Sequence, residues 1–137
     1  YKWDRVYVAT LFSFYWNITI KTIQYYAPSV ENPADIWVGG VLATLMGDEI
    51  RSLTGATVVA GLLDRGGVLD PNSRQVVDHL IPDYGILDEI PYKYAARNAY
   101  LGYTTRGCPN RCAFCAGSLE KEISGRDFRL LIRWDSV

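Results

Sequence analysis

The sequence predicts an α/β fold built on a parallel sheet, and three observations predict it. Apolar, β-branched segments recur near residues 5–14, 35–40 and 57–60, segments with helical spacing of apolar residues lie between them, and Pro28, Gly39-Gly40 and Gly55 punctuate the segments after the first. Strand, helix, strand, helix, strand is the rhythm of an open parallel sheet, whose ligands sit beyond the carboxyl ends of the strands.

Arg5 to Phe14 is rich in β-branched and aromatic residues, and Val6, Val8, Leu11 and Phe12 make it too apolar for an exposed edge, so it reads as a buried, central strand. Asn17 to Tyr26 places Ile18, Ile20, Ile23 and Tyr26 near helical spacing before Pro28, which predicts a helix lying on the sheet. Asp35-Ile36-Trp37-Val38-Gly39-Gly40 reads as a second strand entering a glycine turn. Gly39 and Gly40 are candidate cofactor-binding residues because a bare backbone admits close ligand approach; the plainer reading is a tight turn. Leu42, Leu45, Met46 and Ile50 recur helically around Ala43 to Leu53, with Gly55 as the stop, and Thr57-Val58-Val59-Ala60 is the third strand.

Residues 63–99 lose this periodicity. Gly66-Gly67, Asp70-Pro71, Pro82-Asp83 and Ile90-Pro91 punctuate them, and so long a loop region reads as a connector between two domains. The predicted organisation is therefore an α/β domain over 1–62, a connector over 63–99 and the start of a second domain over 100–137.

The chain has 137 residues, 49% of them hydrophobic, enough for one modest core. Its 14 basic and 15 acidic side chains create no overall field toward nucleic acid or an anionic membrane. Residues 100–137 are mildly basic, with 6 basic and 4 acidic side chains, which suits an anionic cluster. No apolar run approaches the roughly 18 to 20 residues of a spanning helix, and the amino terminus lacks a signal-peptide layout, so a cytoplasmic location is expected. The aromatic residues, concentrated in predicted strands and the helix, are expected in the core rather than on a binding surface.

All three cysteines fall within Gly107-Cys108-Pro109-Asn110-Arg111-Cys112-Ala113-Phe114-Cys115. Such crowding is the pattern of a metal or cluster site in a reducing compartment rather than of a disulfide framework. Cys-x3-Cys-x2-Cys, with an aromatic residue before the last cysteine, resembles the signature of the radical S-adenosylmethionine (SAM) superfamily. The resemblance implies a loop in which three thiolates each reach a different iron of one cubane cluster and leave the fourth iron open.

That resemblance implies Cys108, Cys112 and Cys115 as ligands of a [4Fe-4S] cluster, SAM chelated at the open iron, and Phe114 against the cluster or the adenine. It further implies an electron donor such as ferredoxin or flavodoxin, and Tyr103 to Gly107 as the first strand and turn of a partial TIM barrel. Upstream, Val8 to Trp16, Trp37 to Thr44 and Ile81 to Leu87 are similar to the region preceding the cluster loop in members with an N-terminal cobalamin-binding-like domain. A partial flavodoxin-like (Rossmann-like) sheet is then expected over 1–62, and methyl or methylthio transfer is the chemistry implied for the parent.

Two departures qualify this. The Asp-x-His-x-x-Gly motif of many cobalamin domains is missing, since the single histidine, His79, lies in Val77-Asp78-His79-Leu80 without the glycine, so no histidine ligand for cobalamin carries over. Only 22 residues follow Cys115, too few for the barrel, so the chain is expected to be a fragment, inactive alone. The alternative is a non-catalytic α/β binding module whose cysteines hold structural zinc, with His79 or a partner's residue as fourth ligand.

Overall fold

The computed structural model describes residues 1–81, 83–92 and Cys112. Three parallel strands, β1 (Val6–Thr10), β2 (Ile36–Gly40) and β3 (Thr57–Val59), form one sheet in the order β1-β2-β3. Val6 pairs with Ile36 and Thr10 with Gly40, while Trp37 pairs with Thr57 and Gly39 with Val59. Helix α1 (Trp16–Tyr26) makes the first crossover; α2 (Val41–Leu45) and α3 (Gly47–Thr54) make the second.

Both crossovers step the same way across the sheet, and right-handed connections that do so place their helices on one face. Accordingly α1 packs against α3. β2 lies between its neighbours, which is the order of one half of a Rossmann-like sheet. A flavodoxin-like order would put β1 between the other two, so that part of the expectation is corrected. Among the described residues β1 is also an edge strand rather than the expected central one, and Tyr7 and Ala9 are exposed.

The core lies between sheet and helices. Ile23 of α1, Ile36 and Val38 of β2, Ala43 of α2, Ile50 of α3, with Val30 and Ala56, are buried together, and Val6, Val8, Trp16, Ile20 and Val58 pack against them. Alternation does this locally, because residues two apart on a strand share a face. Val6 and Val8 thus turn to the helices while Tyr7 turns away. On that second face Tyr7 and Trp37 approach with ring centroids 6.4 Å apart. The Arg5 guanidinium lies 4.8 Å from the Trp37 ring and donates to the Leu69 carbonyl at 3.0 Å. Its pKa is raised, first by hydrogen bonding to the Tyr7 side chain and then by nearby carboxylates including Asp70 and Asp35, so Arg5 stays charged.

Three boundaries differ from the expected ones. β1 ends at Thr10 rather than Phe14, because β2 offers partners only as far as Gly40, and Ser13–Tyr15 turn into a 3-10 segment leading to α1. The single helix expected over 43–53 is two, broken at Met46 with φ −128° and ψ 37°. Gly47 then begins α3 against the Val58 side chain, a closeness that a Cβ would crowd. Gly55 closes α3 as expected, at φ 70°, donating its N–H to the Arg51 carbonyl at 2.9 Å. The third strand stops one residue before Ala60. Within the described connector residues the regular elements are the 3-10 turns Val77–His79 and Tyr84–Glu89.

Candidate functional site at the carboxyl ends of the strands

Two threonine hydroxyls tie the carboxyl ends of the strands together, one between β1 and β2 and one between β2 and the turn after β3. Thr10 ends β1 and is buried; its hydroxyl donates to the Gly39 carbonyl at 2.8 Å and accepts from the Ala43 N–H at 3.0 Å. Thr44 on α2 repeats the device one strand further on, donating to the Gly40 carbonyl at 2.9 Å and accepting from the Gly61 N–H at 2.9 Å. Each hydroxyl serves as donor and acceptor at once, so four buried or half-buried backbone groups are satisfied and the turns after β2 and β3 are held to the sheet.

Gly40 makes this closeness achievable. Its φ is 102°, a region side-chain-bearing residues rarely adopt, and a Cβ there would collide with the Thr10 carbonyl oxygen. Gly39 is different, since a Cβ would meet only the Val59 backbone and side chain at ordinary contact distance. Of the two glycines picked out for cofactor approach, Gly40 therefore has a packing requirement of its own and Gly39 has none of that kind.

Beside this turn, the loop leaving β1 presents an aromatic cluster outward. Phe12 and Phe14 stack with centroids 5.0 Å apart, and Phe14 meets Tyr15 at 4.6 Å. Leu11, Phe12, Phe14 and Tyr15 are all exposed. The expectation that the aromatics are core residues is thus corrected: Trp3, Tyr7, Tyr25 and Tyr26 are exposed too, while Trp16 and Trp37 are half-buried. The reason is geometric, because β1 ends before Leu11, so the chain leaves the sheet before these side chains can be sheltered by it.

No carboxylate, histidine or cysteine stands among residues 10–15, 39–44 and 60–62. This rim can hold a ligand by backbone groups and ring faces. The sequence singles out neither Thr10 nor Thr44; Thr44 carries a signal, a threonine four residues after a Gly-Gly pair, whereas Thr10 lies inside the longer strand expected over 5–14 and carries none.

Cys108, Cys115 and Phe114 lie outside the described residues, and Cys112 is half-buried. Among the described residues no group of three or more His, Cys, Asp or Glu side chains is placed to hold a metal ion. Nor is any helix among them long and apolar enough to cross a membrane. The fold at this site is that of an α/β protein with a partial Rossmann-like sheet. Compared with protein-family models, curated proteins and solved structures, the chain matches none of them significantly.

Proposed function

We propose that residues 108–115 are the cluster loop of a radical SAM enzyme, with Cys108, Cys112 and Cys115 as ligands of a [4Fe-4S] cluster and Phe114 packed beside it. The observation that carries this reading is the spacing of the three thiols together with the aromatic residue before the last. The donor set fits the group: three thiolates are the ligands an iron-sulfur cubane takes, and three rather than four leave one iron for SAM. When bound and reduced, the cluster would supply the electron that cleaves SAM to methionine and a 5'-deoxyadenosyl radical, and the reduced state calls for an electron donor such as ferredoxin or flavodoxin.

The protein's own residues have simpler tasks. The cysteines fix the cluster, Phe114 excludes water from it, and Arg106 and Arg111 offset the negative charge of cluster and thiolates. A cytoplasmic site keeps the thiols reduced. The upstream sheet supports the reading only at a coarser level, as a partial Rossmann-like α/β domain ahead of the cluster loop with Gly39 and Gly40 at its carboxyl rim; its β1-β2-β3 order is not the flavodoxin-like one expected of a cobalamin-binding-like domain, and no cobalamin is assigned to it. Methyl or methylthio transfer is the reaction class proposed for the whole enzyme.

Anaerobic reconstitution with iron and sulfide, followed by metal and sulfide analysis and an absorption spectrum, tests the proposal. About four irons per chain, with absorption near 400 nm, both lost in Cys112→Ala, is the expected result. Stoichiometric zinc with no iron uptake would overturn it in favour of a structural zinc module.

A further inference from the structure

We infer that the outer face of α1 is a self-association surface, and that its partner is a second copy of this chain. Ile18, Lys21 and Tyr25 follow one another at intervals of three and four residues, which places them in one stripe along α1, and Phe14 stands in the 3-10 turn that leads into its amino-terminal end. The opposite side of α1, through Thr19 and Ile23, is the one buried in the core. The stripe is strongly exposed: Phe14 by 73%, Ile18 by 62% and Tyr25 by 77%, with Leu11 and Tyr15 exposed at its amino-terminal end. A helix whose second face serves only water carries charges there. From Leu11 to Val30 this chain carries no acid and a single base, Lys21.

The area and the charge both favour a second copy. At roughly 200 Å² for each large side chain, the exposed part of these residues and Phe12 is on the order of 700 Å², near the ~800 Å² per partner of a standard interface. Among the described residues, the ion pairs are Lys2–Glu31 and Asp48–Arg51, so Lys21 is paired with no carboxylate. The stripe supplies its own counterpart. Two α1 helices crossing antiparallel about a twofold axis at Ile18 bring Lys21 of one copy over Tyr15 at the entrance of the other, a contact made twice. An ammonium over an exposed tyrosine ring is a favourable cation–π contact. A lipid surface fits less well, since anchoring there takes a cluster of basic residues and this face has one.

Sedimentation equilibrium of the full chain, over a concentration range wide enough to populate monomer and dimer, tests the inference. A monomer–dimer equilibrium is expected. Ile18→Glu, which sets two carboxylates face to face on the axis, should weaken dimerisation on the order of 100-fold or more, and Lys21→Glu by about 10-fold. The Lys21→Glu effect should vanish in a Tyr15→Ser background. Because these side chains are exposed, far-UV circular dichroism and the thermal midpoint of the monomer should not change. A chain monomeric at every concentration, a dimer indifferent to Ile18→Glu, or vesicle binding without self-association would each overturn the inference. Cys112→Ala should leave the equilibrium as it is, which separates this surface from the cluster reading.

Discussion

The two crossovers of the sheet use similar inner faces and opposite outer ones. α1 turns Ile23 inward and α3 turns Ile50 inward, each fully buried in the same core. Outward, α3 shows Asp48, Glu49, Arg51 and Ser52, with Asp48 and Arg51 paired one turn apart and Leu53 as its one exposed large apolar side chain, whereas α1 shows Ile18 and Tyr25 beside the polar Asn17, Lys21 and Gln24. Their entrances differ as well: the β2–α2 turn is held by Thr10, Thr44 and a positive-φ glycine at which a Cβ would strike the Thr10 backbone, while the β1–α1 loop carries stacked, exposed rings. The difference teaches that two helices can bury equivalent inner faces while one carries several charges outward and the other only Lys21.

The comparison can be broken most severely at Gly40. Gly40→Ala should lower unfolding free energy by more than ~3 kcal/mol, because the new Cβ meets backbone and φ is positive, and a urea titration measures this. Ile23→Ala and Ile50→Ala come next, each expected to cost about 2–5 kcal/mol. Near-equal losses would confirm that the inner faces are equivalent, and a loss under ~1 kcal/mol for either would show that its helix contributes little to the core. Thr10→Val and Thr44→Val should each cost about 1–2 kcal/mol by leaving the Ala43 or Gly61 N–H without its acceptor, readable as faster amide exchange at those two positions. The smallest effect should be Asp48→Asn: its side chain is 95% exposed, so the urea midpoint should not move measurably, and a clear shift would mean the outer face of α3 is not simply solvated.

Much of this architecture is legible in the residues themselves. Period-two runs and helical spacing locate β2, α1 and β3 to within a residue or so, and Gly55 announces the end of α3. The failures share a cause. Strand length is decided by the neighbouring strand, so nothing within Leu11-Phe12-Ser13-Phe14 tells that β2 stops pairing at Gly40. The order of strands is likewise a property of the direction of the second crossover, which single-chain patterns of hydrophobicity do not encode. The break at Met46 follows from Gly47 nestling against Val58, a contact 11 positions away along the chain. Of the candidate site, the cysteine spacing is readable without any structure, while the threonine ties are visible only once two turns are seen side by side.

Parallel pairing also sets the order in which this molecule can assemble. There is no hairpin among the three described strands: the Thr10 hydroxyl reaches a carbonyl 29 residues later, and Thr44 awaits an amide 17 residues later. Closing such loops precedes any reward from the contacts they create, which slows folding relative to a chain of local contacts. On the ribosome, Val6 to Thr10 emerges well before its only described partner strand exists, an unprotected apolar segment that must be kept from pairing with a neighbour until Ile36 arrives.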